Sequence, residues 1–260
     1  MQNIKPTSVS IIGTNISSLT MEELIEYMNL AIVNQHKIRI CITPVNCLTA
    51  ANRSKKLQAI YNSADIVTCD GVPIRWASKY LNNPIKERIT GLDLTPRFIR
   101  ECVDKGFSMY FLGAKEGVAK YLAEKMLLTY PSIKIAGYYS PPFAEQFSNE
   151  ENTKMISLIN DVKPDIVFVS FTAPKQDYWI YEHLNKLDTR IAIGVGGAFE
   201  VTAGLIERAP VFYQKNGLEW FYRFIKEPRR LFKRYFIEAP IFFPLVLIQK
   251  FWPAYFDKKK

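Results

Sequence analysis

Along the chain, short apolar and β-branched runs alternate with longer stretches in which apolar positions recur every three or four residues. The runs "SVSIIG" (8–13), "KIRICI" (37–42), "DIVTC" (65–69), "SMYFLG" (108–113), "IKIAGYY" (133–139), "DIVFVS" (165–170) and "RIAIGVG" (190–196) read as strands. Several are apolar throughout, the pattern of strands covered on both faces. The stretches 20–35, 47–62, 91–105, 115–129, 149–161, 175–187 and 199–207 read as helices. This βαβ rhythm predicts an α/β fold with a mostly parallel sheet in three layers. Local signals agree: Thr20 precedes "MEEL" with Glu23 at the capping-box position. Pro131, Pro164 and Gly106 interrupt the chain shortly before strands. The proline-rich stretch 138–152 reads as a long loop beyond a strand end, a place where such sheets carry ligand-binding elements.

After Pro210 the rhythm stops. Residues 217–226 are compatible with a helix, and Pro228 fits the first turn of a second one beginning near Arg229. Here "GLEWFYRFIKEPRRLFKRYF" (217–236) mixes aromatic and basic residues. The predicted organisation is a Rossmann-like α/β core over 1–210 and a C-terminal helical appendage over 211–260. The appendage's aromatic residues can pack on the core, lie at a membrane face or stack on nucleic acid, and its basic residues can meet any anionic partner.

Charge sharpens this picture. The 260 residues carry a net charge of +9; residues 201–260 hold 12 Lys or Arg against 5 Asp or Glu, so most of the excess is in the appendage. Such a local surplus points to an anionic partner for the tail. The longest apolar stretch, "APIFFPLVLI" (239–248), is half the roughly 20 residues a membrane-spanning helix needs and contains two prolines. It is suited to lying on a membrane, and it is too short to cross one. The N-terminus has no signal-like apolar run. Cys41, Cys47, Cys69 and Cys102 form no CxxC and read as reduced core residues of a cytosolic protein. His36 and His183 match no zinc spacing, so no metal site is expected.

The candidate chemistry lies at strand exits. "TPVNCLTA" (43–50) and "ADIVTCDGVP" (64–73) follow strands whose ends would face one crevice, bringing Thr43, Asn46 and Asp70 together. Asp70, before Gly71 on a tight turn, can act as a general base or can bond its own backbone as an Asx-turn carboxylate. Asp65 reads as a strand-start cap. In "PIKERITGLDL" (84–94), Arg88 is a candidate anion ligand. In "APKQDYW" (173–179), Lys175 and Gln176 lie near a helix start that favours phosphate. Gly196 and Gly197 in "GVGGAF" (194–199) lie between a strand and a helix, without GxGxxG spacing. There is no GxSxG elbow, no Walker A and no DxD. A nucleic-acid-binding module using the basic aromatic tail, or a non-catalytic membrane scaffold, is the alternative to an enzyme.

Taken together and in order, "TPVN", "DGVP", "ERITGLDL", "YFLGAKEGV", "KPDIVFVSFTAPKQD", "GVGGAF", "RAP" and "GLEWFYRFIKEPRRLFKRY" resemble the WecG/TagA/CpsF glycosyltransferases, from about residue 8 to 250. The resemblance implies an inverting, metal-independent transferase that needs no cofactor. It would move an N-acetylmannosamine-like sugar from a UDP-sugar to a polyprenyl-diphosphate-linked saccharide, in cell-surface polysaccharide or teichoic acid synthesis. The implied location is cytoplasmic, peripherally attached to the inner face of the cell membrane, with no nucleic-acid partner. By the same resemblance Asp70 is the base, Thr43, Arg88 and Gln176 are active-site residues, and Arg223, Arg230 and Arg234 are the appendage's arginines, expected to meet the diphosphate; Asn46, Lys175, Gly196 and Gly197 join the expected site from their strand-exit positions. Two departures stand out: the family's PKQE reads PKQD, with Asp177 in place of a glutamate, and the stretch before it reads "SFTA" without the usual glycines. Both are expected near the donor and therefore bear on donor identity.

Overall fold

The computed structural model describes residues 6–257. Six parallel strands form the central sheet in the order β4-β3-β8-β7-β5-β6. They are β3 (Ile38–Pro44), β4 (Ile66–Asp70), β5 (Ser108–Gly113), β6 (Lys134–Tyr139), β7 (Ile166–Ser170) and β8 (Ile191–Gly194). The expected three-layer α/β architecture is present. The first apolar run is the exception. Instead of joining the sheet, β1 (Ser8–Ile11) turns through Ile12 and Gly13, both at positive φ, and pairs antiparallel with β2 (Thr14–Ser17). A two-residue loop with both residues left-handed matches the twist of a hairpin.

Helices cover both faces. On one side α1 (Met21–Val33), α5 (Gly91–Lys105), α6 (Val118–Thr129) and α9 (Ala198–Thr202) pack on Ile40, Ile42, Phe111, Phe168 and Ile193. The alternate residues of the same strands, such as Cys41, Val67, Val167 and Val169, face the other layer. That layer holds α2 (Val45–Arg53), α3 (Lys55–Asn62), α4 (Val72–Tyr80), α7 (Asn149–Asn160) and α8 (Lys175–His183). Central strands are therefore apolar at most positions, as parallel sheets covered on both faces require, although β3 also buries Arg39 and Thr43. The Thr20–Glu23 capping box forms, with both reciprocal bonds present. The predicted helix 47–62 is broken at Ser54, whose extended backbone and hydroxyl start α3 by accepting the Leu57 N–H. The helix predicted over 199–207 stops after one turn and a half, at Thr202. All four cysteines are free and buried, and burial pushes the Cys47 and Cys69 thiols up to about 12.

The tail folds back over the core through α10 (Val211–Lys215), α11 (Glu219–Lys226), α12 (Pro228–Phe232), α13 (Phe242–Phe251) and α14 (Ala254–Asp257). A π turn and a 3-10 turn fill residues 233–241. Aromatic pairs Trp220–Tyr235 and Phe224–Phe236, at 5.5 and 5.0 Å between ring centroids, hold α11 against that segment. Helix α13 is apolar on two faces. Phe242 and Val246, one turn apart, are buried with the hairpin and α2. Phe243, Leu247 and Phe251, on the opposite face, are at least half exposed. Gln249 completes the junction: its Oε1 accepts the Ile12 N–H at 2.6 Å and its Nε2 donates to the Ser10 carbonyl at 2.7 Å. One side-chain amide thus satisfies two backbone groups of the hairpin at once, a donor and an acceptor. Among the described residues no helix is long and apolar enough to cross a membrane.

Because α13 closes the core, Phe242→Ala should destabilise the whole chain by about 3–5 kcal/mol. Chemical denaturation followed by tryptophan fluorescence measures this, and a change confined to the tail would show that α13 is only an attachment.

Candidate active site

Parallel strands all end at one edge, and there a cleft of about 1070 Å³ opens. Five strands contribute their last residues to its wall, Pro44 of β3, Asp70 of β4, Tyr139 of β6, Ser170 of β7 and Gly194 of β8, and β5 is followed there by Ala114. The chain leaves β5 towards β6 and leaves β7 towards β8 on the other side, so the crevice is at a switch in winding direction. Ligands bind at such points in open parallel sheets. The far rim is the proline-rich loop 140–147, and the roof is α11 with Arg223 and Lys226, together with Arg234 from the π turn.

Asp70 is the last residue of β4. Among the described residues its carboxylate makes no hydrogen bond and no ion pair within 4 Å, so it is not occupied as an Asx-turn ligand. Burial raises its affinity for a proton, opposed by the charges of Arg88, Arg234 and Arg223 in that order, with Glu219 adding to the rise. An unengaged carboxylate among arginines, at the floor of a cleft, is suited to accept a proton.

Asn46, in the first turn of α2, lines the cleft beside Asp70. Thr43 does not: it is completely buried one residue inside the strand, and its hydroxyl has no partner among the described residues. Strand alternation explains this, since Ile42 and Pro44 line the cleft and Thr43 points between them into the fold. Arg88 also stands outside the lining. Its guanidinium lies 3.9 Å from Asp93 and acts on Asp70 as a nearby charge.

Gln176 is buried and lines the cleft, and its Oε1 accepts the Gly196 N–H at 2.9 Å. The Gly196 carbonyl in turn accepts from the Ser170 hydroxyl at 2.6 Å. The turn after β8 is thus held from two sides. Gly194 is needed for this approach, because a Cβ there would lie 2.6 Å from the Gln176 amide. The Gly196 amide is spent on Gln176 and the Lys175 amide on the Thr172 carbonyl, so neither is free for phosphate. Gly197 lines the cleft beside them. The Lys175 ammonium is engaged as well: it donates to the Ala144 carbonyl and lies 3.5 Å from the Phe147 ring centroid. Burial lowers its proton affinity. It pins the 140–147 loop.

Arg223 and Arg234 both line the cleft; the side chain of Arg230 lies outside the described residues. The sequence reading passed over Arg208, although it stands in the quoted "RAP" block. Arg208 lines the cleft and is paired with Asp93 at 2.6 Å and Glu219 at 3.1 Å. Among the described residues no group of three or more His, Cys, Asp or Glu side chains is placed to hold a metal ion.

Asp177 corrects an expectation. It does not line the cleft. It is fully buried on the inner side of α8, where the Tyr61 hydroxyl donates to its Oδ2 at 3.0 Å and its Oδ1 has no partner among the described residues. Helical geometry turns Gln176 and its neighbour about 100° apart, so one faces the cleft while the other faces α3. The PKQD departure is therefore a change in packing beneath the cleft wall, away from its lining.

Residues 9–255 match the Glycosyl transferase WecG/TagA/CpsF family. The chain belongs to this family. A Staphylococcus aureus (strain MRSA252) relative, an N-acetylglucosaminyldiphosphoundecaprenol N-acetyl-beta-D-mannosaminyltransferase, is 28% identical over 225 residues, 86% of each chain. A Bacillus spizizenii (strain W23) relative of the same name is 31% identical over 180 residues, 69% of this chain and 68% of its own. As a WecG/TagA/CpsF member the chain is a glycosyltransferase, and the nucleic-acid reading of its tail is not favoured. The family match runs from the hairpin to α14. It therefore takes in both the cleft and its roof.

The buried carboxyl of this WecG/TagA/CpsF chain sets a pH test. Burial pushes Asp177 from its ordinary 3.8 to about 7, against the pull of Tyr61, Cys41 and Arg39. Between those values the folded state holds a proton that the unfolded state has released, so stability falls as pH rises and then levels off above about 7. At about 1.4 kcal/mol per pH unit the full loss is about 4 kcal/mol. In Asp177→Asn that slope should vanish, so the variant gains on the native protein between pH 5 and 8. Melting temperatures of the two across that range test it, and parallel curves would show that Asp177 does not titrate there.

Proposed function

We propose that this chain transfers an N-acetylmannosamine-like sugar from a UDP-sugar to a polyprenyl-diphosphate-linked saccharide, with inversion and without a metal ion. The observation that carries the reading is the convergence of one unengaged carboxylate, Asp70, with Arg223 and Arg234 in a single cleft. The curated relatives' names supply the chemical class: an N-acetylmannosaminyl group and an N-acetylglucosaminyl-diphosphoundecaprenol acceptor. The cleft of about 1070 Å³ lies at the top of the range for small-molecule sites, with room for a nucleotide sugar and an acceptor sugar together.

In the proposed step Asp70 removes the proton of the acceptor hydroxyl. That oxygen forms a bond to the anomeric carbon as the bond from that carbon to the diphosphate oxygen breaks. The electron pair leaves with UDP. Arg223 and Arg234 offset the growing charge on the diphosphate, and Arg88 adds to the positive field without contact. Asn46 orients the reacting sugars. Gln176 keeps the β8 turn in place, and Thr43 supports the strand end from inside.

The acceptor's lipid gives the tail its task. We place the protein peripherally on the inner face of the cytoplasmic membrane. The exposed apolar face of α13, together with exposed Phe232, Phe236, Arg229 and Lys233 elsewhere in the tail, supports this placement. A helix that is apolar on both its core face and its outer face suits an interface better than water.

Transfer to a short-chain polyprenyl-diphosphate N-acetylglucosamine, followed by mass spectrometry over a panel of UDP-sugars with EDTA present, tests the reaction. One donor should give product, and turnover should survive EDTA. Asp70→Asn should lower turnover by roughly 10²–10⁴-fold while retaining donor binding. Because Asp70 must be ionised to act and its proton affinity is raised, turnover should fall as pH drops through a value above the ordinary 3.8. Near-native turnover in the asparagine variant would remove Asp70 from the base role.

The membrane placement has its own measurement. Phe243→Ser with Leu247→Ser should weaken sedimentation with anionic liposomes about tenfold or more, since two half-exposed apolar side chains lose their lipid contact. Unchanged sedimentation would count against α13 as the contact.

A further inference from the structure

The tail reaches the cleft through an ionic link that the proposed step does not use. Arg208 lies in the extended stretch between α9 and α10. Its Nη2 donates to Asp93 Oδ1 at 2.6 Å and its Nε to Glu219 Oε1 at 3.1 Å. Asp93 sits in the first turn of α5, where its other oxygen accepts the Thr90 hydroxyl at 2.7 Å. Glu219 opens α11 and is only 9% exposed. One guanidinium therefore joins a core helix to a tail helix, and neither carboxylate is held by a lysine.

The sequence of α11 makes this link consequential. Arg223 follows Glu219 by four residues, on the same helix face, and both line the cleft. A glutamate four residues before an arginine is its natural partner on a helix. With Arg208 absent, Glu219 would be a nearly buried carboxylate without a counter-charge, and Arg223 would be the cation within reach. The charged groups acting on Asp70 are Arg88, Arg234, Arg223 and Glu219, so the same change alters the balance at the base.

We propose that Arg208 is a positioning residue: it locks α11 onto α5 and neutralises Glu219, which leaves Arg223 free to face the leaving diphosphate. The inference rests on the glycosyl-transfer reading for its last clause only. The planar fork of arginine suits two carboxylates at once, and lysine does not.

The test uses the full-length chain as Arg208→Gln, Arg208→Lys, Glu219→Gln and the double variant Arg208→Gln/Glu219→Gln. Hydrogen exchange read by mass spectrometry reports on α11, and kcat and donor KM are followed across pH. In Arg208→Gln the α11 amides should exchange about tenfold faster while the central sheet stays protected. Its kcat should fall about tenfold, and the acid limb of the kcat profile should move to higher pH, because the Glu219 charge now faces Asp70 uncompensated. In the double variant that limb should return to its native position while α11 remains less protected, an outcome that a purely structural role would not produce. Arg208→Lys, which keeps the charge, guards against misfolding of the glutamine variant and should still loosen α11. Native α11 exchange in both Arg208 variants would overturn the proposal, as would a limb that stays displaced in the double variant. Faster α11 exchange in a chain whose native form transfers no sugar would uphold the lock and overturn the transfer reading alone.

Discussion

Parallel pairing forces every strand of a sheet to end at the same edge, and that constraint underlies the rest of this molecule. The strand ends meet at one crevice, where the backbone groups that follow them have lost their ladder partners. The fold satisfies those groups from within. Ser170 and Gln176 bracket the turn after β8, and Lys175 fastens the 140–147 loop by its ammonium. Residues that look like phosphate ligands in the sequence are thereby committed to holding walls. Asp70, by contrast, faces the cleft with no hydrogen bond or ion pair among the described residues, and the proposed chemistry starts from it.

Much of the architecture was legible because burial on two faces leaves a strong mark. The central strands are apolar at most positions, and the Thr20–Glu23 cap is a local signal that needs no tertiary context. The hairpin was not legible: β2, "TNIS", is short and polar at three of its four positions, and it becomes a strand through β1 and a bond from the Val67 N–H to Ser17. Helix α4 was hidden behind the "DGVP" strand exit, although Pro73 in its first turn is a start signal. In the site, residue type and strand exit marked Asp70 and Asn46 well. They could not tell Thr43, which faces inward, from its cleft-lining neighbours, nor Asp177 from Gln176. Facing is a matter of 100° of helix or one step of strand, and a motif spelled in letters carries no such angle.

The electrostatics of the floor are a balance of opposed effects. Burial favours a protonated Asp70, whereas three arginines favour the carboxylate. A base needs this compromise: a carboxylate fully paired with arginine is too weak to accept a proton, and one left alone in a buried site would not ionise. Distance keeps the compromise in place. Arg88 is drawn towards Asp93, and Arg223 and Arg234 belong to the tail. Two of the three arginine charges that act on Asp70, the proposed base, therefore depend on the tail being seated.

That dependence ties the two faces of α13 to the reaction. The inner face, Phe242 and Val246, is core, so the C-terminal segment cannot leave without opening the hydrophobic cluster under the hairpin. The outer face, Phe243, Leu247 and Phe251, has no covering among the described residues. Between α13 and the cleft lie α11 and the π turn, which carry the arginines and are joined to each other by aromatic pairs more than by backbone. A surface that engages the outer face of α13 would press on this intermediate layer, whereas the inner face fixes where the layer can go. The segment is anchored where it is core, and that anchorage sets where Arg223 and Arg234 stand over Asp70.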